Sequence, residues 1–425
     1  MFRLLAHPIK LAVGRIYALF LVAVAFVWRT LLFRTTFIAI TGSVGKTTSK
    51  ECLAAILSSW QPTVATAGSN NGRAGIPRTI LRARPWHRFC VVEIGTDRPG
   101  TMIRSTVLVR PRIVVILSVA GTHSKDFKTL DRTAREKSRL LTFLGRRDIA
   151  VLNGDDPRVA AMARGRRCRV VWFGSSPEFD LCASGATAEW PSRLRFRVSS
   201  GADSYQVKTQ FVGLHWVASV TGALATAQAC GAPLARAVPC IENVAPFRGR
   251  MQPVSLRNGA VMLRDDYNCS YTTALRAFEV LRSAKAKRRI TVLSDCNDLK
   301  QDRRERVQLL SGMACEFSDM IVFVGEDASH GARHALEHGL TPDNVHAFVK
   351  WEDAADFLSA NLQPGDLVLL RSRRDGHLSR IYFAMQGSVK CHLVECPIRG
   401  MCDNCSKLGF VPRSENSVPF PVPVH

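Results

Sequence analysis

The sequence predicts an α/β chain of two successive domains, and three observations carry that reading. Residues Phe37 to Thr48 read FIAITGSVGKTT, a short apolar strand, a glycine-bearing loop and the start of a helix. Strand-like apolar runs then alternate with helical patterns twice, on either side of Pro246 to Gly249, which reads as a hinge. Composition shifts sharply at both ends. The expected layout is a hydrophobic helix over 1–36, a nucleotide-binding central domain over 37–246, a Rossmann-like domain over 247–388, and a Cys- and Pro-rich tail over 389–425.

The first element is apolar from Leu11 to Phe33 apart from Arg15, Arg29, Thr30 and a few small residues, with an uninterrupted run from Ile16 to Trp28. Those thirteen residues fall short of the roughly 20 that span a bilayer, although flanking arginines extend such a stretch by snorkelling. No small-residue cleavage site follows, so a removed signal peptide is not expected. The segment reads as a membrane anchor, spanning or in-plane, in contact with lipids. A buried core helix is the alternative. Arg34 to Thr36 alone separate it from the first strand, which predicts a nucleotide site close to the membrane.

The loop that follows aims backbone N–H groups and a helix N-terminus at one point, an arrangement suited to phosphate. Gly42, Ser43, Val44, Gly45, Lys46, Thr47 and Thr48 are its binding residues, with Lys46 for the β/γ-phosphates and the Thr47 hydroxyl for Mg²⁺. The strict pattern has glycine six residues before the lysine. Here Ile40 stands there and Gly42 serves instead, so the loop is a shortened variant. Leu53, Ile56, Leu57 and Trp60 recur at helical spacing and would pack the next helix on a sheet.

Ser69 to Pro77 (SNNGRAGIP) is a polar loop, either a plain connection or a substrate loop using Asn70 and Asn71. A strand over Phe89 to Ile94 delivers Glu93 near its carboxyl end, and one over Ile113 to Leu117 leads to His123. Ligands bind at that edge of open parallel sheets, so both side chains would arrive beside the loop if the strands are neighbours. Asp131 to Leu141 reads as a basic helix with Lys137 among Arg132, Arg135 and Arg139. The strand Ile149 to Leu152 ends at Asn153, in Asn-Gly-Asp-Asp-Pro. From Arg167 to Phe211, short segments broken by Gly, Ser and Pro predict a small antiparallel lobe. Gly213-Leu214-His215 opens an alanine-rich helix to about Cys230. The second alternation has strands at Ala260 to Leu263, Ile290 to Leu293, Met320 to Val324, Asn344 to Phe348 and Leu367 to Leu370.

Lys and Arg exceed Asp and Glu by 58 − 35, a formal charge of +23. This favours anionic partners such as nucleotides, lipid headgroups or carboxylated substrates. Nucleic acid is not expected, because no basic stretch interleaves with aromatics in a known module. Nine of the thirteen cysteines are scattered singly between Cys52 and Cys315, the usage of a reducing, cytosolic compartment. Together with the anchor this predicts the cytoplasmic face of the inner membrane. The other four, Cys391, Cys396, Cys402 and Cys405, fall within 15 residues. Zn²⁺ held by these thiolates, with His392 as a substitute ligand, is the leading reading of the tail. An iron–sulfur cluster and a loose reduced tail are the alternatives.

TGSVGKTT, SNNGRAGIP, VVEIGTDRPG, the turn ending in His123, AREKS, VLNGDD, GLH, GRMQ and DDYN occur in that order from about Phe37 to Ile381. On these motifs the chain resembles the Mur ligases, in particular the MurF type, which adds D-alanyl-D-alanine to UDP-N-acetylmuramoyl-tripeptide. The resemblance implies an ATP- and Mg²⁺-dependent, ADP-forming carboxylate–amine ligase working through an acyl phosphate. It implies Lys46 and Thr47 at the phosphates and first Mg²⁺, and Glu93 with His123 at a second. Lys137 matches the lysine that the family carbamylates, and nearby arginines would both supply neutral amine and stabilise the carbamate. Asn153 and His215 align with adenine contacts, Asp266 with or without Asp265 with the ribose, and Arg250 with the γ-phosphate. Lys46, His123, Lys137 and Arg250 are thus the catalytic candidates. Arg250, on the second domain's leading edge, would complete the site on domain closure.

Ser118, Trp216, Ser219 and Leu370 depart from the family pattern, the first three replacing asparagines and the last a lysine, and one residue is missing near Asp266-Tyr267. MurF-type enzymes place a UDP-binding domain before the phosphate loop, where this sequence has 36 residues. The expected acceptor is therefore a cell-envelope, peptide or polymer carboxylate at the membrane, by analogy with capsule-type polyglutamate ligases. The competing expectations are a MurF-type precursor ligase proper, and a non-catalytic ATP-binding subunit that supports a partner enzyme through its tail.

Overall fold

The computed structural model describes residues 2–96, 98–121, 129–296, 301–393, 396, 398 and 400–413, with backbone alone for 2–15. Two compact units result, one from residues 1–186, 195–209 and 216–244 and the other from 187–194, 210–215 and 245 onward.

In the first unit, β1 (Thr36–Thr41), β2 (Thr63–Ala65), β3 (Phe89–Glu93), β4 (Ile113–Ile116), β5 (Ile149–Asn153), β6 (Arg169–Gly174), β7 (Leu181–Thr187), β8 (Arg195–Ser200) and β9 (Asp203–Lys208) form one sheet. Its order is β2-β3-β1-β4-β5-β6-β7-β8-β9. Parallel strands covered on both faces must be apolar throughout. Phe37, Ile38, Ala39 and Ile40, and likewise Ile113 to Ile116, are accordingly buried without alternation. β1 pairs in parallel with both β3 and β4, which meets the condition set by the sequence for bringing their carboxyl ends together.

The small antiparallel lobe expected over 167–211 is corrected. β6 pairs in parallel with β5, and β7 with β6, so both extend the main sheet. β8 and β9 form an antiparallel hairpin, joined to the sheet beside β7. The run RVVWFG satisfies a buried parallel strand as readily as a short antiparallel one, and periodicity does not separate the two.

Helix α1 spans Phe2–Leu31. Its carboxyl end docks on the first unit beside α3 (Gly75–Arg82) and α4 (Thr101–Val109), with α2 (Lys46–Ser58) following the loop. The Trp28 indole donates to the Ala83 carbonyl at 2.9 Å, and Arg29 donates to the Val109 and Arg110 carbonyls at 2.7 and 2.9 Å. Arg29 also lies over the Phe37 ring at 3.9 Å, while Ala25 and Leu32 are buried. The opposite surface of the helix leaves Ile16, Leu19, Phe20, Val27 and Leu31 exposed. Among the described residues no helix is long and apolar enough to cross a membrane. α1 joins the amino end of β1, so the phosphate loop lies at the far end of that strand.

The second unit carries β10 (Gln252–Ser255), β11 (Val261–Asp265), β12 (Arg288–Leu293), β13 (Met320–Val324), β14 (Val345–Phe348) and β15 (Asp366–Arg371), in the order β10-β11-β15-β12-β13-β14. All pairings are parallel except β10 with β11. The tail packs into this unit. Gly387–Ser388 pairs with Val411–Pro412, Cys402 and Leu408 are buried, and Asp403 accepts two 2.8 Å hydrogen bonds from buried Arg264.

Candidate active site

The carboxyl ends of β1, β3, β4 and β5 meet in the first unit, and each contributes a functional side chain. From β1 the chain turns through Gly42 to Gly45 into α2. Gly45 is left-handed (φ 84°), and a Cβ there would sit 2.2 Å from the Ser219 hydroxyl, so glycine is required on both counts. Lys46 folds back, its Nζ donating to the Gly42 carbonyl at 2.6 Å and to that of Ser43 at 3.3 Å. The Ser43 N–H donates to the Ser118 carbonyl at 2.9 Å, and the Val44 N–H to the Ser118 hydroxyl at 3.3 Å. Ser118, noted in the sequence only as a departure, is thus the residue that holds the loop. Asn153, at the end of β5, is buried and donates to the Leu117 carbonyl at 2.8 Å while accepting from the Asp155 N–H at 3.0 Å.

Glu93 closes β3 and is fully buried. Its Oε1 accepts from Asn71 Nδ2 at 2.6 Å, the Thr47 hydroxyl at 3.1 Å and the Ser69 hydroxyl at 3.4 Å. Its Oε2 has no hydrogen-bond partner. A buried carboxylate oxygen left unpaired costs about 1–3 kcal/mol or more, and a cation relieves that cost. With the Thr47 hydroxyl beside it, this donor set fits Mg²⁺, which takes one or two protein oxygens and completes its shell with water and phosphate. Asn71 therefore orients the carboxylate, and Asn70 is exposed. His123 lies outside the described residues. Among the described residues no three His, Cys, Asp or Glu side chains form a metal-ligand set.

Lys137 lies on α5 (Leu130–Ser138), whose N-cap Thr129 accepts from the Arg132 N–H. Glu136 accepts from the Met102 N–H in the first turn of α4 at 3.0 Å and pairs with Arg139 at 2.8 Å. These contacts turn Lys137 inward, where it is buried with Thr96 Oγ1 at 3.5 Å. Burial first, and the Lys46 charge second, hold its pKa well below the ordinary lysine value. The expected cause is corrected. Arg132 and Arg135 face solvent and Arg139 is paired with Glu136, so the lowering comes from burial and Lys46.

The second unit holds the remaining candidates. Arg250 lies over the Tyr267 ring at 4.6 Å, and Tyr267 packs edge-on against Phe247. Asp265 accepts from the Met251 N–H at 3.1 Å and pairs with buried Arg371. Both Asp266 oxygens face Arg264, at 3.3 and 3.1 Å, in a buried cluster completed by Asp403. Burial, then the Arg276 and Arg371 charges, lower the His215 pKa to about 3, so its ring is neutral at physiological pH. Sequence reasoning gave no role to Ser69 and Thr96, although both lie within quoted motifs, nor to Arg371 and Asp403.

Residues 40–227 match the Mur ligase middle domain, and 249–374 the Mur ligase glutamate ligase domain. A UDP-N-acetylmuramoyl-tripeptide–D-alanyl-D-alanine ligase from Mycobacterium bovis is 29% identical over 378 residues, covering 84% of this chain and 74% of its own length. A MurF crystal structure from Acinetobacter baumannii superposes with a TM-score of 0.79 at 26% identity, covering 87% of this chain and 80% of that one. A Thermotoga maritima MurF ligase solved with ADP shares the fold, with a TM-score of 0.73 at 21% identity over 86% of this chain and 82% of that one. A sheet edge with a phosphate loop, a buried carboxylate and a buried lysine of lowered pKa is thus found in a chain that belongs to the Mur ligase family of ATP-dependent, ADP-forming peptide ligases.

Proposed function

We propose that the chain joins a carboxylate to an amine through an acyl phosphate, acting on a cell-envelope precursor or polymer. The substrate carboxylate attacks the γ-phosphorus of ATP, the bond to the ADP oxygen breaks, and an acyl phosphate forms. The amine then attacks the acyl carbon, a proton leaves the nitrogen, and inorganic phosphate departs. Lys46 neutralises charge on the transferring phosphoryl group, and the N-terminus of α2 binds the phosphates. Thr47 and Glu93 would hold Mg²⁺, which supplies charge neutralisation at the phosphates. His123 keeps the second-metal role that the family pattern gives it. Lys137, buried beside Lys46 with its pKa held down, is suited to reaction with CO₂, the resulting carbamate gaining a cation partner. Arg250 is assigned to the γ-phosphate, and Asn153, His215, Asp265 and Asp266 to the nucleoside, on the same pattern.

The observation that carries this reading is the unpaired Oε2 of buried Glu93 beside the phosphate loop. The exposed apolar side of α1, with Phe33 and Trp86 exposed beside Arg34, Arg88 and Arg112 around one cleft, suits the interface of an anionic membrane on the cytoplasmic face. ADP release is measured with D-alanyl-D-alanine and single amino acids as amines, for wild type and Lys46→Ala. Acceptor-dependent release lost in the variant supports the reading, and wild-type failure with every amine and acceptor class defeats it. Loss of vesicle co-sedimentation on removing residues 1–33 tests the membrane placement.

A further inference from the structure

Outside the ligase site, the tail gathers a second set of reactive side chains. Cys391, Cys396, Cys402, Cys405 and the ring of His377 all line one small cavity of about 10 Å³. All four cysteines are free thiols. The space is about one water-sized sphere, enough for a single ion.

His377 supplies an independent observation. It is only 4% exposed, its Nδ1 lies 3.4 Å from the Cys402 sulfur, and its Nε2 has no hydrogen-bond partner of normal geometry, although the Ile398 backbone lies close to the ring. Its backbone is left-handed (φ 51°), a conformation that is strained for a non-glycine residue. A buried imidazole held in that conformation against a sulfur is what a supporting residue of a thiolate centre would look like. His392, the substitute ligand expected from the sequence, is instead exposed and 3.3 Å from Glu352.

We propose that Cys391, Cys396, Cys402 and Cys405 bind one Zn²⁺ ion, with His377 donating a hydrogen bond from Nδ1 to the Cys402 sulfur. Four soft sulfur donors select zinc over harder cations, and tetrahedral closure needs no fifth ligand. Among the described residues the four thiols do not form a ligand set. The ion therefore draws them together as they lose their protons. The centre has a structural purpose. Cys402 and Cys405 flank Asp403, whose ion pair with Arg264 also fixes Asp266 at the end of β11. Binding would lock that cluster and fasten the tail to the second unit.

The test uses the full chain purified under reducing conditions from zinc-supplemented culture, with metal measured by mass spectrometry. One zinc per chain is expected, lost in Cys396→Ser and in Cys405→Ser but kept in Cys182→Ser. Cobalt exchanged into the wild type should show tetrahedral d–d bands with thiolate charge transfer, a readout independent of whether the variants fold. His377→Phe should weaken zinc binding about 10–100-fold while keeping the four-thiolate cobalt spectrum. Wild type without stoichiometric metal, metal unchanged in Cys396→Ser, a cobalt spectrum without thiolate charge transfer, or an iron–sulfur absorption spectrum would each overturn the proposal.

Discussion

Replacing Glu93 with glutamine should stabilise the protein while removing its response to magnesium nucleotide. Three donors converge on Oε1 while Oε2 is buried and unpaired. A glutamine carbonyl can keep those three hydrogen bonds, and the charge, whose burial is only half compensated, is gone. The amide left in place of Oε2 is still without a partner, so the gain is the removal of the buried charge alone, worth about 1 kcal/mol net. Domains of this size shift by about 2–4 °C per kcal/mol, so Glu93→Gln should melt at least about 2 °C above wild type without ligand. Magnesium and ADP at about 100 times the wild-type dissociation constant add about 2.7 kcal/mol to wild type. They should add little to the variant, reversing the order of the two melting curves. Differential scanning fluorimetry with and without MgADP reads both effects. A variant that melts below wild type without ligand, or that keeps the full MgADP shift, refutes the metal role of this carboxylate.

Gly45→Ala should weaken nucleotide binding, because φ 84° and a 2.2 Å approach to the Ser219 hydroxyl both oppose a Cβ. Adding Ser219→Ala should recover only the steric part, leaving about 1–2 kcal/mol of backbone strain in an ADP titration. Asp403→Ala leaves Arg264 buried with one partner fewer, and should destabilise the second unit by about 3–5 kcal/mol in urea unfolding. The pKa of His215 is lowered to about 3 in the folded chain. Between there and the ordinary value of about 6.5 the unfolded chain binds the extra proton, so stability rises with pH across that window. His215→Asn should flatten the rise in denaturant midpoints measured from pH 4 to 7.

Much of the first unit was legible because buried parallel strands leave a plain mark, an apolar run ended by a functional residue. Phe37 to Thr41 and Phe89 to Glu93 are such runs, and Glu93 stood out as a carboxylate where hydrophobicity stops. Lys137 was legible as a position but not in its physics. Which face of α5 turns inward depends on the contacts of Glu136 with α4 and Arg139, which no helical period encodes. Long-range polar pairs were equally hidden. Arg264 and Asp403 lie 139 positions apart, and nothing local marks either as the other's partner. His377 is a lone histidine in a loop, and only its burial against Cys402 sets it apart.

The direction of β1 has a consequence for the kind of acceptor this enzyme can use. Its six residues run from the end of α1 at one edge of the sheet to the phosphate loop at the other, a rise of about 20 Å at roughly 3.3 Å per residue. With the apolar surface of α1 in a bilayer interface, the chemistry takes place on the side of the domain turned toward water. On the proposed membrane placement, a carboxylate borne on a lipid would have to bridge that height, which disfavours headgroups whose acid sits at the glycerol backbone. Acceptors with an extended peptide or glycan spacer of comparable length fit, and varying that spacer in synthetic acceptors would measure the reach directly.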